Sequence, residues 1–398
     1  PAAPAAEGAS AARAAMKAAA KAASKRDEKS AKKAKKEEAQ KNAQPPAALL
    51  VGLRLLSVVA VLGGSYVASA SGVFHSSTEG KMHIVARLFF FLFSQSMASE
   101  LFAIVFLQVG RQLVGEPGAS WEPTKLELAV NDPSIAWPRQ ELLGERLRPF
   151  AGRPGQPFWL NHVNGRRRCK DACMRFGMAL GSVLAVWCAC RWMDMRSMAS
   201  LGLDVDGRFL GQVLVGTCVG VSIVAFIFAV ELMAGWLQIL ELFEVFDKSE
   251  NFAANIFWDV AFHVSVAIAE ELPVRGWMLF NLADAFGAHL GLSHASAFLS
   301  ALAVESLFFV AMHLQSPGGN RWQSIVNIFV GGVAGGLNVF FTGGSLAFAL
   351  GWHFGWNISM GNVFGLSTSG IPISATFIAV APHPEKQALH GGVFGPEG

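Results

Sequence analysis

Charge is what this chain has least of. Only 15% of its 398 residues are Asp, Glu, Lys or Arg, against 52% hydrophobic, and the mean hydropathy is positive. That balance excludes a water-soluble globular protein. Cysteine is also scarce, and the five present form no disulfide framework. Cys188, Cys190 and Cys218 lie inside apolar runs, as small buried hydrophobes do. Cys169 and Cys173 lack the second pair that a zinc site would need. Gly-x-Ser-x-Gly is missing and no cysteine falls in any motif described below, so no covalent nucleophile is indicated. His-Glu-x-x-His is missing too, and with it the usual zinc-peptidase helix.

Long apolar runs are abundant. They lie near 47–72, 84–109, 174–194, 209–240, 252–270, 295–314, 322–342 and 345–364. Several reach the roughly 20 residues that cross about 30 Å of hydrocarbon. The pattern predicts an all-α, multi-pass transmembrane bundle of about eight helices, an integral membrane protein in contact with a lipid bilayer. Gly331-Gly332 and Gly335-Gly336 recur at helical spacing and predict close helix packing.

Four regions follow. Residues 1–46 are rich in Ala and Lys, with Lys32-Lys33 and Lys35-Lys36, and cannot build a core. They read as a flexible basic tail, either solvated or lying on anionic lipid headgroups. The chain begins at Pro1, so the true amino terminus is left open; Glu28, Glu37 and Glu38 argue against a transit peptide. Residues 47–110 hold the first transmembrane helices. Residues 111–172 form a hydrophilic loop rich in Arg, Pro and Gly, which the positive-inside rule places on the same face as the basic tail. Residues 173–398 form the apolar core of the protein.

Ionisable groups inside that core are functional candidates by default. Glu270-Glu271 is followed four residues later by Arg275. On a helix Glu271 and Arg275 form an i, i+4 pair with the acid on the favourable N-terminal side. Glu270 points about 100° away and is free for another task. Pro273 removes one backbone N–H, strips the Ala269 carbonyl of its usual donor and predicts a kink that admits water beside Glu270. A snorkelling salt bridge at a helix end would give the same motif. His313 lies one turn after Phe309, and His353 one turn before Asn357. Taken singly, each histidine reads as a satisfied polar residue, and Asn357 as an interhelical hydrogen-bond former or an oxyanion donor. Asp259, His263 and Glu270 are spaced by four and seven, which puts them on one side of a helix as a proton path or as a polar stripe.

Glu-Glu-x-x-x-Arg, Phe-x-x-x-His and His-x-x-x-Asn, in this order on successive apolar helices, resemble the CPBP family of CAAX proteases and bacteriocin-processing enzymes, also called Abi. The resemblance covers roughly 205–398. It implies an intramembrane endopeptidase in which Glu270 activates a water with His313 assisting, His353 and Asn357 bind the oxyanion, and Glu271 and Arg275 hold the geometry. Asn362-Val363-Phe364-Gly365 and the stretch Gly391–Gly398 resemble the prokaryotic and plastid branch, which suggests a plastid membrane. Val274, where the family usually has an aromatic residue, Pro273 and the extra acid Glu305 are departures from the pattern. No cofactor is required for a glutamate mechanism, but Glu270, His313 and His353 could also hold zinc and leave an open position.

The expected partners are a membrane-protein or lipidated peptide substrate and the bilayer, with no nucleic acid. A catalytically silent scaffold of the same fold is the alternative. A solute transporter would predict two related halves, which the sequence does not show.

Overall fold

The computed structural model describes residues 83–114 and 165–398, apart from 246, 248, 315, 317–320, 384, 385 and 393. The expected basic tail, the expected span at 47–72 and most of the hydrophilic loop lie outside those residues.

In chain order the described elements are α1 (Ile84–Leu113), α2 (Gly165–Cys188) with a π turn at Ala189–Asp194, α3 (Gly207–Met233) and strand β1 (Leu237–Val245). Next come α4 (Phe252–Glu271), a π segment at Leu272–Met278, α5 (Leu279–Leu290), α6 (His294–His313) and α7 (Trp322–Phe341). The chain ends through α8 (Ala347–Ile358) with a π turn at Ser359–Val363, strand β2 (Ala375–Pro382) and the short α9 (Gln387–His390). Six helical runs among the described residues are long and apolar enough to cross a membrane, one of them being the continuous run Phe252–Leu290. Side-chain caps open several helices: Asp206 accepts from Phe209 N at 2.8 Å before α3, and Asn251 from Ala254 N at 3.0 Å before α4.

The predicted helices near 84–109, 252–270, 295–314 and 322–342 match α1, α4, α6 and α7 closely. Three differences have physical reasons. Helix α2 starts at Gly165 rather than near 174, because the arginine run is not wholly solvated. Arg168 is fully buried, paired with Asp259 and stacked 4.3 Å over the Phe262 ring. The run expected to stay helical to 240 ends at Met233, turns at Gly235 with φ 70° and continues as β1. β1 pairs antiparallel with β2 as a two-stranded sheet that hydropathy alone does not reveal. Finally, Pro273 does not break its helix. The helix widens there into a π segment, in which Leu279 N–H reaches back five residues to Val274 O. Carbonyls that pair one residue farther on can skip the missing donor.

Glycines set the closest helix contacts. Gly216 and Gly220 of α3 face Gly351 and Gly355 of α8, and a Cβ at Gly351 would lie 2.0 Å from Val213 O. This reciprocal Gly-x-x-x-Gly seam lets the backbones of α3 and α8 touch. On α7, Gly332 faces Ser306 and Gly336 faces Leu302, as the sequence pattern predicts. The largest buried cluster centres on Trp277, whose ring stacks on Phe91 of α1 at 3.9 Å. A closed polar network lies beside it: Asp194 accepts from Trp277 Nε1 at 2.7 Å and Asn281 Nδ2 at 3.1 Å, while Arg87 Nη1 donates to it at 3.2 Å. These contacts fasten α1 and the end of α2 to the π segment.

Candidate active site

Three elements converge on a cavity of about 510 Å³. The end of α4 with the π segment brings Glu270, Glu271 and Arg275, α6 brings Phe309 and His313, and α8 brings His353 and Asn357. The six candidate residues, together with Phe309, therefore line one space, although 87 positions separate Glu270 from Asn357.

Glu271 and Arg275 form the expected pair. Arg275 Nη1 donates to Glu271 Oε1 at 3.0 Å, and both side chains are almost fully buried. The guanidinium is also held by two groups from α6. Its Nε lies 2.7 Å from Glu305 Oε1, a contact made off the N–H axis, and its Cζ sits 3.8 Å above the Phe309 ring. Glu305, a departure in the sequence, is thus a second counter-ion for Arg275; its other oxygen accepts from Ser306 Oγ at 3.1 Å. Gly335 of α7 makes room for this cluster, since a Cβ there would lie 3.3 Å from Arg275 Nε.

The two histidines are oriented in the same way. His313 Nδ1 donates to Phe309 O at 2.8 Å, and because a carbonyl can only accept, Nδ1 carries the proton. His353 Nδ1 donates to Glu271 Oε1 at 2.6 Å, on the oxygen that Arg275 also binds. Each imidazole has its Nδ1 tied, and each turns Nε2 toward Glu270. Both Nε2 atoms lie 3.9 Å from Glu270 Oε2. That separation is too long for a direct hydrogen bond and within the span of one bridging water. Glu270 and the two histidines remain partly open to the cavity, with side-chain exposures of 18%, 14% and 12%. Asn357 lies on the same wall, is only 5% exposed, and makes no side-chain hydrogen bond to another described residue.

Glu270, His313 and His353 stand wider apart than zinc ligands do. Ligands about 2.0–2.1 Å from a tetrahedral ion lie roughly 3.4 Å apart, and Glu270 is 3.9 Å from each histidine. Among the described residues no group of three or more His, Cys, Asp or Glu side chains has metal-holding geometry.

The expected stripe Asp259–His263–Glu270 is not a hydrogen-bonded path. Asp259 Oδ2 accepts from Asn362 Nδ2 and Ser374 Oγ, both at 2.8 Å, and so ties α4 to the segment between α8 and β2. His263 is fully buried beside Asn362, which also bonds Asp259, and its ring makes no direct hydrogen bond to Asp259 or Glu270. Two cavity residues went unnoticed in the sequence. Arg175 of α2 follows the Arg-rich stretch 111–172 but bears no spacing relation to the motifs. Glu397 accepts from Trp356 Nε1 at 2.7 Å and from Ser369 N and Oγ at 2.7 and 2.6 Å. It is carried into the wall by a tail whose Phe394 is fully buried beside Val274 and Phe309. Glu397 falls inside the stretch Gly391–Gly398, whose resemblance gives this acid no role, and no short motif marks Arg175.

No curated protein and no solved structure matches the chain. A family model does, over residues 252–359, a segment that begins with α4, ends just past α8 and contains all six candidate residues. Helices α1, α2 and α3 and both strands lie outside it. Residues 252–359 form a domain of the family described as Type II CAAX prenyl endopeptidase Rce1-like.

Proposed function

We propose that this protein hydrolyses a peptide bond near the end of a membrane-anchored or prenylated substrate, at the cavity between α4, α6 and α8. The observation that carries the reading is the convergence of His313 Nε2 and His353 Nε2 on one oxygen of Glu270, each at 3.9 Å, inside that cavity. A water in the gap donates one proton to Glu270 and is steered by the His313 Nε2 lone pair. Glu270 takes the proton as the water oxygen adds to the scissile carbonyl, then returns it to the leaving amine. The oxyanion that forms needs a donor. Asn357 Nδ2 is uncommitted and fits this role. His353 shares it only when both its ring nitrogens carry protons, because its Nδ1–H is engaged by Glu271. Glu271, Arg275 and Glu305 act by fixing the rotamers of these groups. The stretch Gly391–Gly398 favours a prokaryotic or plastid-type member, and a plastid membrane is the compartment we propose on that ground.

The test is Glu270→Gln, which keeps the shape and removes the base. Protein N-termini are compared in membranes from cells expressing either form at equal abundance. Termini that appear only with Glu270 identify substrates, and purified protein should lose about 10²–10⁴ in rate on them. An unchanged set of termini, together with full rescue of a knockout phenotype by Glu270→Gln, would replace the enzyme with a membrane scaffold of the same fold.

A further inference from the structure

Five Arg and Glu side chains line the cavity: Arg175, Glu270, Glu271, Arg275 and Glu397. Four of them have partners in the protein. Glu271 binds Arg275 and His353, Glu397 binds Trp356 and Ser369, and Glu270 faces two histidines. Arg175 is the exception. Among the described residues no carboxylate comes within ion-pair distance of its guanidinium, and its Nε is buried without a hydrogen-bond partner. Its Nη1 meets Met178 Sδ at 3.9 Å, and its Cζ lies 5.5 Å from the Phe262 ring. Asp171, one turn earlier on α2, is turned to Arg167 at 3.9 Å.

The register of α2 against α4 places Arg175 at the depth of the candidate base. Gly165 N donates to Glu250 beside the start of α4, Arg168 meets Asp259, and Ala172 packs on Phe262 and Val266. One turn further on, Arg175 enters the cavity together with Val266 and Glu270. A guanidinium cannot shed its proton, and with no carboxylate in contact among the described residues, Asp171 acting on it only at longer range, holding it at this depth favours a ligand that brings an anion. The other walls of the cavity are largely apolar, with Met312, Ile328, Val330 and Trp352 among them. The space therefore suits an apolar chain segment that carries one negative group.

We propose that Arg175 is a substrate-binding residue that holds the C-terminal carboxylate of the peptide, so that the bond presented to Glu270 lies a set distance from the substrate's end. A planar guanidinium fork matches a carboxylate in two parallel hydrogen bonds, which gives position as well as affinity. This rests on the endopeptidase reading for its purpose. It adds a specificity element from α2, a helix outside the segment 252–359.

The experiment measures binding rather than turnover, so it stays readable if hydrolysis is never seen. Glu270→Gln protein in phosphatidylcholine nanodiscs is titrated with a fluorescent prenylated peptide of the C-a-a-X pattern, in free-acid and C-terminal amide forms. The acid form should bind about tenfold or more tighter, the worth of a charge-assisted pair. Adding Arg175→Gln should erase that preference and lower the amide affinity far less than the acid affinity, and retained amide binding also reports an intact fold. Arg175→Lys, which keeps the charge without the fork, should retain part of the preference. Equal retention of the two forms, no retention of either, or an acid preference that survives Arg175→Gln overturns the proposal. Arg175-dependent retention of phosphatidylglycerol without an acid preference overturns it in favour of a lipid phosphate. A preference that is lost as expected, in a protein that generates no Glu270-dependent termini, would leave the anchor standing and sink the catalytic reading.

Discussion

Glu305 Oε1 lies 2.7 Å from Arg275 Nε, two turns before His313 on a different helix from the Glu271–Arg275 pair. The guanidinium is thereby shared between two buried carboxylates and capped by Phe309. Arg275→Met leaves both acids buried without a cation and should destabilise the protein by about 3–5 kcal/mol. Glu305→Gln keeps Arg275 paired with Glu271 and should cost clearly less. Denaturation of detergent-purified variants gives the order. Equal losses would mean that Glu271 contributes nothing to holding the arginine.

Two glycines on α7 make a matched pair of probes. Gly331 lines the cavity and a Cβ there meets nothing within 4 Å, whereas a Cβ at Gly335 would press on Arg275 Nε and Nη2 at 3.3 and 3.4 Å. Gly331→Ala should gain about 0.5–1 kcal/mol from the stiffer helix. Gly335→Ala has the same gain to set against overpacking of about 1–3 kcal/mol, and it displaces the group that orients Glu271. We expect lower stability and lower Glu270-dependent cleavage for Gly335→Ala only. A neutral Gly335→Ala would show that the arginine has slack.

The sequence carries the helices and the motif residues for one shared reason. Twenty-residue apolar runs are signals of composition, and acids or histidines inside them are too costly to be there without a use. It does not carry what depends on contacts between distant positions. Arg168 reads as one of a solvated run until Asp259 and Phe262 enclose it, and β1 reads as the end of a helix until β2 pairs with it. Pro273 signals an irregularity at the right place, but whether the helix kinks or widens depends on the packing of Trp277 and Phe91 around it. Arg175 is invisible for the same reason: its meaning lies in the cavity that the packing of α2 on α4 brings it into.

The Asp194 network predicts that α1 is wired to the catalytic helix. Asp194 accepts from Trp277, Asn281 and Arg87, all fully buried, and Trp277 sits two residues after Arg275. Asp194→Ala removes a buried ion pair with Arg87 and the acceptor of Trp277 and Asn281, and should lower stability by about 3–5 kcal/mol. Because the loss passes through the π segment, the slowest-exchanging amides of 272–278 should lose protection along with those of α1. Loss confined to α1 would separate the two.

His390 sets an acid limit on the tail. Its Nε2 donates to His383 O at 3.0 Å and its Nδ1 accepts from Gly392 N at 3.2 Å, so the neutral ring is the bonded form. Burial, the largest cause, holds its pKa below the ordinary histidine value of about 6.5. The sign follows: the unfolded or released tail takes up a proton first. The contribution is complete above about pH 6.5 and is lost as pH falls toward the depressed native value. Hydrogen exchange corrected for intrinsic pH effects should show residues 386–398 losing protection as pH falls below about 6.5, with Pro396 and Glu397 leaving the cavity wall. His390→Gln should flatten that dependence while lowering protection throughout. Protection that is equally pH-dependent in His390→Gln would assign the effect to another group.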